Sequence, residues 1–181
     1  MKQTVAIETI TPENHLQSDI TPEMITDFLH DHLDRFRDPK NQIMQCLNYA
    51  LGKIECRRGF VMVAREADSG GSSTPGLQND AQGSSPEQPA TGVPASDPSK
   101  IRGVVVVCET GMSGFVPENL LVYIAVDQKA RGRGIGKILM ENAIKTARGD
   151  IALHVEPDNP ARRLYERIGF TSKYLEMRLS K

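Results

Sequence analysis

The feature that most limits how this chain can fold is the run Leu120 to Val126, LLVYIAV, which is almost continuously apolar and ends directly in a glycine-rich segment. A strand without polar alternation is expected to be buried on both faces. Ile135, Ile138, Leu139 and Ala143 recur at helical spacing and predict a helix from about Gly134 to Ala147. Ile151 to Glu156 (IALHVE) predicts the next strand, completing a strand, helix, strand unit. Pro157-Asp158-Asn159-Pro160 then opens a short helix that Gly169 closes, and a final strand pair is expected around Phe170 to Leu179.

Upstream, Val5 to Thr9 alternates like a short strand. Thr21-Pro22-Glu23 opens a helix with a capping oxygen, a proline at the first helical position and an early acid; Met24, Ile25, Phe28, Leu29 and Leu33 follow its spacing. Asp38-Pro39 restarts the pattern with Ile43, Leu47, Ala50 and Leu51 on one stripe and Gly52 near the end. Gly59 to Glu66 and Ile101 to Glu109 are valine-rich and bounded by turn residues, which predicts a hairpin. Between them, residues 67–100 are half Gly, Ser and Pro with no aromatic, so an insertion there cannot bury enough apolar surface to offset its ordering entropy. A disordered, passive loop is expected, since closing a long loop costs little more than closing a short one.

At 181 residues the chain suits a single domain, and a net charge of -1 gives no general pull toward nucleic acid or anionic membrane. Cys46, Cys56 and Cys108 have no metal or CxxC spacing and suggest free thiols in a reducing compartment. No secretory signal or membrane-spanning run is present in MKQTVAIETITPENH or beyond it, and a cytoplasmic location is expected.

Chemistry concentrates between the buried strand and its helix, in Gln128-Lys129-Ala130-Arg131-Gly132-Arg133-Gly134-Ile135-Gly136-Lys137. Glycines at alternate positions allow a sharp turn and close approach to a ligand, and the first helical amides point outward at one spot. The positive helix end, with Arg131, Arg133 and Lys137 nearby, favours a diphosphate. The nucleoside-triphosphate loop does not fit: Arg131 stands where its first glycine belongs and Ile138 where Ser or Thr belongs. The dinucleotide fingerprint fails too, because the third glycine comes one residue early. Glu156 would serve as its ribose-binding acid, but the chain after Glu156 is too short for further strand and helix units.

Arg131-x-x-Gly134-x-Gly136 resembles the (Gln/Arg)-x-x-Gly-x-(Gly/Ala) signature of the GNAT superfamily of N-acetyltransferases. Asn159-Pro160-Ala161-Arg162-Arg163-Leu164-Tyr165-Glu166-Arg167-Ile168-Gly169-Phe170 is similar to the family's downstream N-x-x-A-x-x-x-Y-x-x-x-G-F segment. The close likeness covers about residues 118–179; the N-terminal helices and hairpin match only in element order. The resemblance implies an α+β fold with a mixed sheet and a splayed central strand: strand, two helices, hairpin, strand, helix, strand, helix, strand pair. Residues 1–181 would then form one N-acetyltransferase domain interrupted by the insertion.

In similar proteins the strand before the loop pairs its backbone with the pantetheine arm of acetyl-coenzyme A, a role that falls here on Ile124, Ala125 and Val126. The amides of Arg131, Gly132, Arg133, Gly134, Ile135, Gly136 and Lys137 would hold its pyrophosphate. Asn159 either caps its own helix or touches the cofactor. Tyr165 stands where the family often has the general acid for the departing thiolate; it also shares an apolar helical face with Ala161, Leu164 and Ile168, and packing is compatible with acid chemistry. A relative's catalytic glutamate aligns with Leu120, so the base is unassigned; Glu118 and Glu109 are expected to be solvated carboxylates and His154 a core histidine.

The resemblance implies direct attack of a primary amine, on a small molecule or a peptide, upon the acetyl thioester, by a monomer or homodimer without nucleic acid, membrane or metal. An acyl-coenzyme A sensor of the same fold, without turnover, is the alternative. Substrate choice would rest on the connection Asp34-Arg35-Phe36-Arg37-Asp38.

Overall fold

The computed structural model describes residues 5–66 and 100–179. Strands β1 (Val5–Ile10), β2 (Gly59–Glu66), β3 (Ile101–Glu109), β4 (Asn119–Val126) and β5 (Ile151–Leu153) make one sheet in that order. The first four are antiparallel to their neighbours, and β5 runs parallel to β4. β2 and β3 are sequential neighbours in the sheet, so residues 67–99 divide the sequence without dividing the sheet. The disordered loop expected at 67–100 lies, apart from Lys100, outside the described residues.

Helices α1 (Pro22–His32) and α2 (Lys40–Ala50) cover one face of the sheet. Thr21 caps α1 as its spacing predicts: its backbone is extended and its hydroxyl accepts from the Met24 amide at 3.3 Å. Helices α3 (Ile135–Thr146) and α4 (Arg162–Ile168) cover the other face. Two cores result. Val61, Val63, Val104 and Val106 meet Leu29, Ile43 and Leu47, while Met62, Val105 and Val107 meet Leu139, Met140 and Ala143. The unbroken valines of β3 follow from this, because both sides of that strand are dry. Truncating a fully buried residue such as Leu139 to alanine costs about 2–5 kcal/mol.

The expected pair of strands at 170–179 does not form; those residues carry no regular structure among the described residues. β5 is only three residues long, so it offers too short an edge for a further strand, and Tyr174, Leu175, Met177 and Leu179 stay exposed. For the same reason His154, expected in the core, falls beyond β5, with its side chain 58 % exposed and 3.7 Å from Glu176.

Candidate active site

The site begins with an irregularity in β4. Val106 pairs with Tyr123 and Val107 with Leu121, leaving Val122 as an extra residue in the ladder. A bulge of this kind turns the side-chain alternation over. Leu121 enters the core under α3 and α4, whereas Tyr123, two residues on, enters the core under α1 and α2. The bulge also bends the strand just where its pairing with β5 stops. Pairing with β5 is confined to Asn119, Leu120 and Leu121. This short ladder is pinned at its start, because the buried Asn119 amide group donates to the Arg148 carbonyl at 2.7 Å and the Glu118 carboxylate accepts from the Asp150 amide at 2.8 Å. Glu118, expected to be an ordinary solvated carboxylate, is instead half-buried and bonded to this turn, and its carboxyl is held low chiefly by the Asp150 amide. β5 ends opposite Leu121, so Ile124, Ala125 and Val126 are paired with β3 on one side and with no strand among the described residues on the other.

β4 then turns through Asp127, whose carboxylate accepts from the Lys129 amide at 2.9 Å and from Arg102 at 3.1 Å. Gly132 and Gly134 both have left-handed backbone, at φ +77° and +86°, and Gly134 caps α3. A Cβ built on either would meet no protein atom within 4 Å, so the loop presents open backbone to solvent. Ile138 donates the first helical bond, to the Gly134 carbonyl at 3.0 Å; the amides of Gly134, Ile135, Gly136 and Lys137 donate to no carbonyl among the described residues. Four outward donors at the positive end of a helix make an anion site. Gly136 has a different task. Its absent Cβ would lie 3.3 Å from Leu164 Cδ2 and 3.6 Å from Val126 Cγ2, so this glycine lets α4, the end of β4 and the first turn of α3 meet.

Tyr165 follows Leu164 on α4 and belongs to the same core as Ile135 of that first turn. Its ring is buried edge-on against Phe170, with centroids 6.1 Å apart, and burial pushes its hydroxyl pKa up to about 12. The hydroxyl makes no hydrogen bond among the described residues, and it is not sealed from solvent. Asn159 serves its own backbone: its side-chain oxygen accepts from the Ala161 amide at 2.9 Å, ordering the turn into α4.

Arg131 and the connection between α1 and α2 depart most from what the sequence suggests. The Arg131 guanidinium does not face the open amides; it binds the Asp34 carboxylate at 2.7 Å, the His32 carbonyl at 2.6 Å and the Val126 carbonyl at 3.2 Å. Gln128 also reaches Asp34, at 2.7 Å. Arg131, and after it Gln128, holds the Asp34 carboxyl below its ordinary range. Asp34 itself has φ +54°, an uncommon conformation for any residue but glycine. The next residue, Arg35, pairs with Asp158 ahead of α4. One turn of chain is therefore tied both to Arg131, after β4, and to Asp158, ahead of α4. Asp38 accepts from the buried Tyr123 hydroxyl at 2.6 Å; burial, and then that bond, pushes the Tyr123 pKa upward. Alternating charges in residues 34–38 look like solvated surface in a sequence, and only the tyrosine inside LLVYIAV hinted at a polar partner.

Comparison with known proteins bears on the family and the fold. Residues 78–170, just over half of the chain, match the model of the acetyltransferase (GNAT) family. A Pseudomonas phage PaMx11 protein named 5-NmdU N-acetyltransferase is 38% identical over 79 residues, which are 42% of this chain and 54% of that protein. The chain therefore spans about half the length of that curated relative. Among solved structures, the NatC complex bound to Gag peptide and CoA is similar with a TM-score of 0.59 at 19% identity, covering 92% of this chain and 84% of the other. The ribosomal-protein-alanine N-acetyltransferase of Brucella melitensis biovar Abortus 2308 gives a TM-score of 0.51 at 17% identity, covering 98% and 100%. These two likenesses concern the fold.

Proposed function

The chain belongs to the acetyltransferase (GNAT) family, and from that premise we propose that it is an N-acetyltransferase, a single domain over residues 1–181, using acetyl-coenzyme A to acetylate a primary amine. The observation that carries this reading is the continuity of the open β4 edge with the bare amides of the glycine loop. The groups present fit the cofactor. The open edge of β4 along Ile124, Ala125 and Val126, where the Val126 carbonyl alone already accepts from Arg131, suits an amide-bearing arm, and the amides of residues 131–137, above all those of 134–137, suit a pyrophosphate. Acetyl-coenzyme A supplies the acetyl group as a thioester ready for attack.

The chain's own residues then do three things. A backbone amide at the bulge on the open side of β4 donates to the carbonyl oxygen as charge gathers there. Tyr165 stays protonated at any working pH and gives its proton to the departing sulfur. The connection at residues 34–38, with Asp38 held on Tyr123, borders the side from which the amine enters. The acceptor is a small-molecule or peptide amine, and 5-NmdU, from the name of the phage relative, is the first compound to screen. No helix among the described residues is long and apolar enough to cross a membrane, which accords with the proposed cytoplasmic setting. Monomer or homodimer is proposed for the assembly.

Calorimetric titration with acetyl-coenzyme A, with NAD and ATP as controls, tests the reading. Micromolar binding of acetyl-coenzyme A alone, followed by thiol release with an amine panel, is the expected result. Preference for NAD, or no binding, would overturn it; binding without turnover for any amine would leave an acyl-coenzyme A sensor instead.

A further inference from the structure

Two thiols that take no part in this chemistry face each other across the α1 and α2 side of the sheet. Cys46 lies on α2 and is buried; Cys108 lies near the end of β3 and is half-buried. Their sulfurs are 3.8 Å apart, and Cys108 Sγ is also 3.9 Å from the Cys46 carbonyl. A disulfide needs about 2.05 Å, so closure asks for an approach of roughly 1.8 Å, within reach of side-chain rotation and a small shift of one helix. We propose that Cys46 and Cys108 are a redox modification site, which closes to a disulfide under hydrogen peroxide and staples α2 to β3.

The surroundings assign a role to each sulfur. The Cys46 thiol hydrogen-bonds to Cys108 and, with the positive charge of Arg57, holds the Cys108 thiol below its ordinary range. Cys46, hydrogen-bonded to Cys108 and buried, is held above its own. Cys108 is also the more exposed of the two and the one a peroxide reaches first, so it is the attacking thiolate. It breaks the peroxide O–O bond, takes one oxygen as a sulfenic acid and releases the other as hydroxide, which leaves as water on taking up the proton the thiol lost. The Cys46 sulfur then attacks Cys108 sulfur; the S–S bond forms as the S–O bond breaks, and the second oxygen leaves as water with the Cys46 proton. Two thiols are oxidised by two electrons, and one peroxide is reduced to two waters. The staple joins residues 62 apart in sequence. It also fixes α2 next to Tyr123, whose hydroxyl holds Asp38 at the head of that helix. This site is independent of the proposed acetyl transfer.

The test uses the full chain, reduced, desalted and treated with hydrogen peroxide while folded, then alkylated and mapped by mass spectrometry without reduction. The expected product is a Cys46–Cys108 linked peptide pair, lighter by two hydrogens and restored by dithiothreitol, with Tm raised by about 5 °C. Cys46→Ser removes the resolving thiol, so Cys108 should accumulate as a sulfenic acid that dimedone traps. Cys108→Ser should give neither bridge nor adduct at Cys46. A bridge to the exposed Cys56, a Cys46 adduct in the Cys108→Ser protein, or free alkylation of both thiols after peroxide would overturn the proposal. Even if a variant does not fold, the wild-type map decides whether the Cys46–Cys108 bridge forms, and its absence overturns the proposal.

Discussion

Two short connections meet past the end of β4 and use their polar groups in opposite ways. The glycine loop between β4 and α3 leaves the amides of Gly134 to Lys137 without a carbonyl partner among the described residues, whereas in the turn between α1 and α2 Asp34, Arg35 and Asp38 are taken up by Arg131, Asp158 and Tyr123. Arg131 belongs to both, since its backbone lies in the loop and its side chain is bound to the turn. A charged residue beside a binding loop is thus no guide to what touches the ligand; unsatisfied backbone donors are a better one, because a helix start without partners is stable only where water or a ligand supplies them.

The largest test of this contrast is Gly134→Val. Left-handed backbone at φ +86° strains a β-branched residue, but its Cβ meets no protein atom, so the new bulk falls on the ligand's side. Acetyl-coenzyme A affinity should fall by about 100-fold or more while the folded spectrum is kept. Equal affinity by calorimetry would show that the bare amides are not the site.

Next in size is Tyr165→Phe, which removes a hydroxyl and leaves the packed ring. Turnover should drop by about 100-fold, the scale of a lost general acid, with coenzyme A affinity changed less than about twofold. A fall in affinity matching the fall in turnover would make Tyr165 a packing residue for α4 and no more.

The contrast sharpens at Asp34→Asn, which keeps Arg131 charged and weakens its anchor. If the turn organises the loop, affinity for acetyl-coenzyme A should fall by about threefold to fivefold. If Asp34 only holds Arg131 away from a phosphate, affinity should rise. Titration of the two proteins at one ionic strength separates these signs.

How much of this the sequence revealed depended on the range of the interaction involved. Residue spacing located α1, α2, α3 and the first four strands to within a residue or two, because Thr21, Pro22 and the valine runs act locally. Gly134 and Gly136 were legible as a loop, though not their division of labour, since the contact of Gly136 with Leu164 joins segments far apart in the chain. The bulge at Val122 was invisible, as an extra residue in a ladder is defined only against the partner strand. The apolar alternation of Tyr174 to Leu179 misled for the same reason: it resembles a strand, and whether an edge awaits it depends on where β5 ends.

Smaller again is the effect of filling the contact under α4. In Gly136→Ala the new methyl lies 3.3 Å from Leu164, tighter than ordinary contact, so α4 must give way slightly. Stability should fall by about 1 kcal/mol and turnover by a few-fold, through displacement of Tyr165, and melting curves beside kinetics would show both.

The smallest expected effect appears only at high pH, and it asks whether Tyr165 is as dry as its packing implies. Its folded pKa, about 12, lies above the ordinary 10.0, so the folded state holds a proton that the unfolded chain gives up. The stability associated with this group is therefore complete below pH 10 and declines as pH rises toward 12. Its share is about 1 kcal/mol by pH 11, and Tyr123, shifted in the same direction by burial and Asp38, adds to the decline. Tyr165→Phe should lose its own part of the alkaline slope in urea melts between pH 9 and pH 11 and keep the part due to Tyr123. An unchanged slope would mean that water reaches the hydroxyl freely, and a tyrosine so hydrated would have an ordinary pKa and would have to act as an acid in a wet cleft.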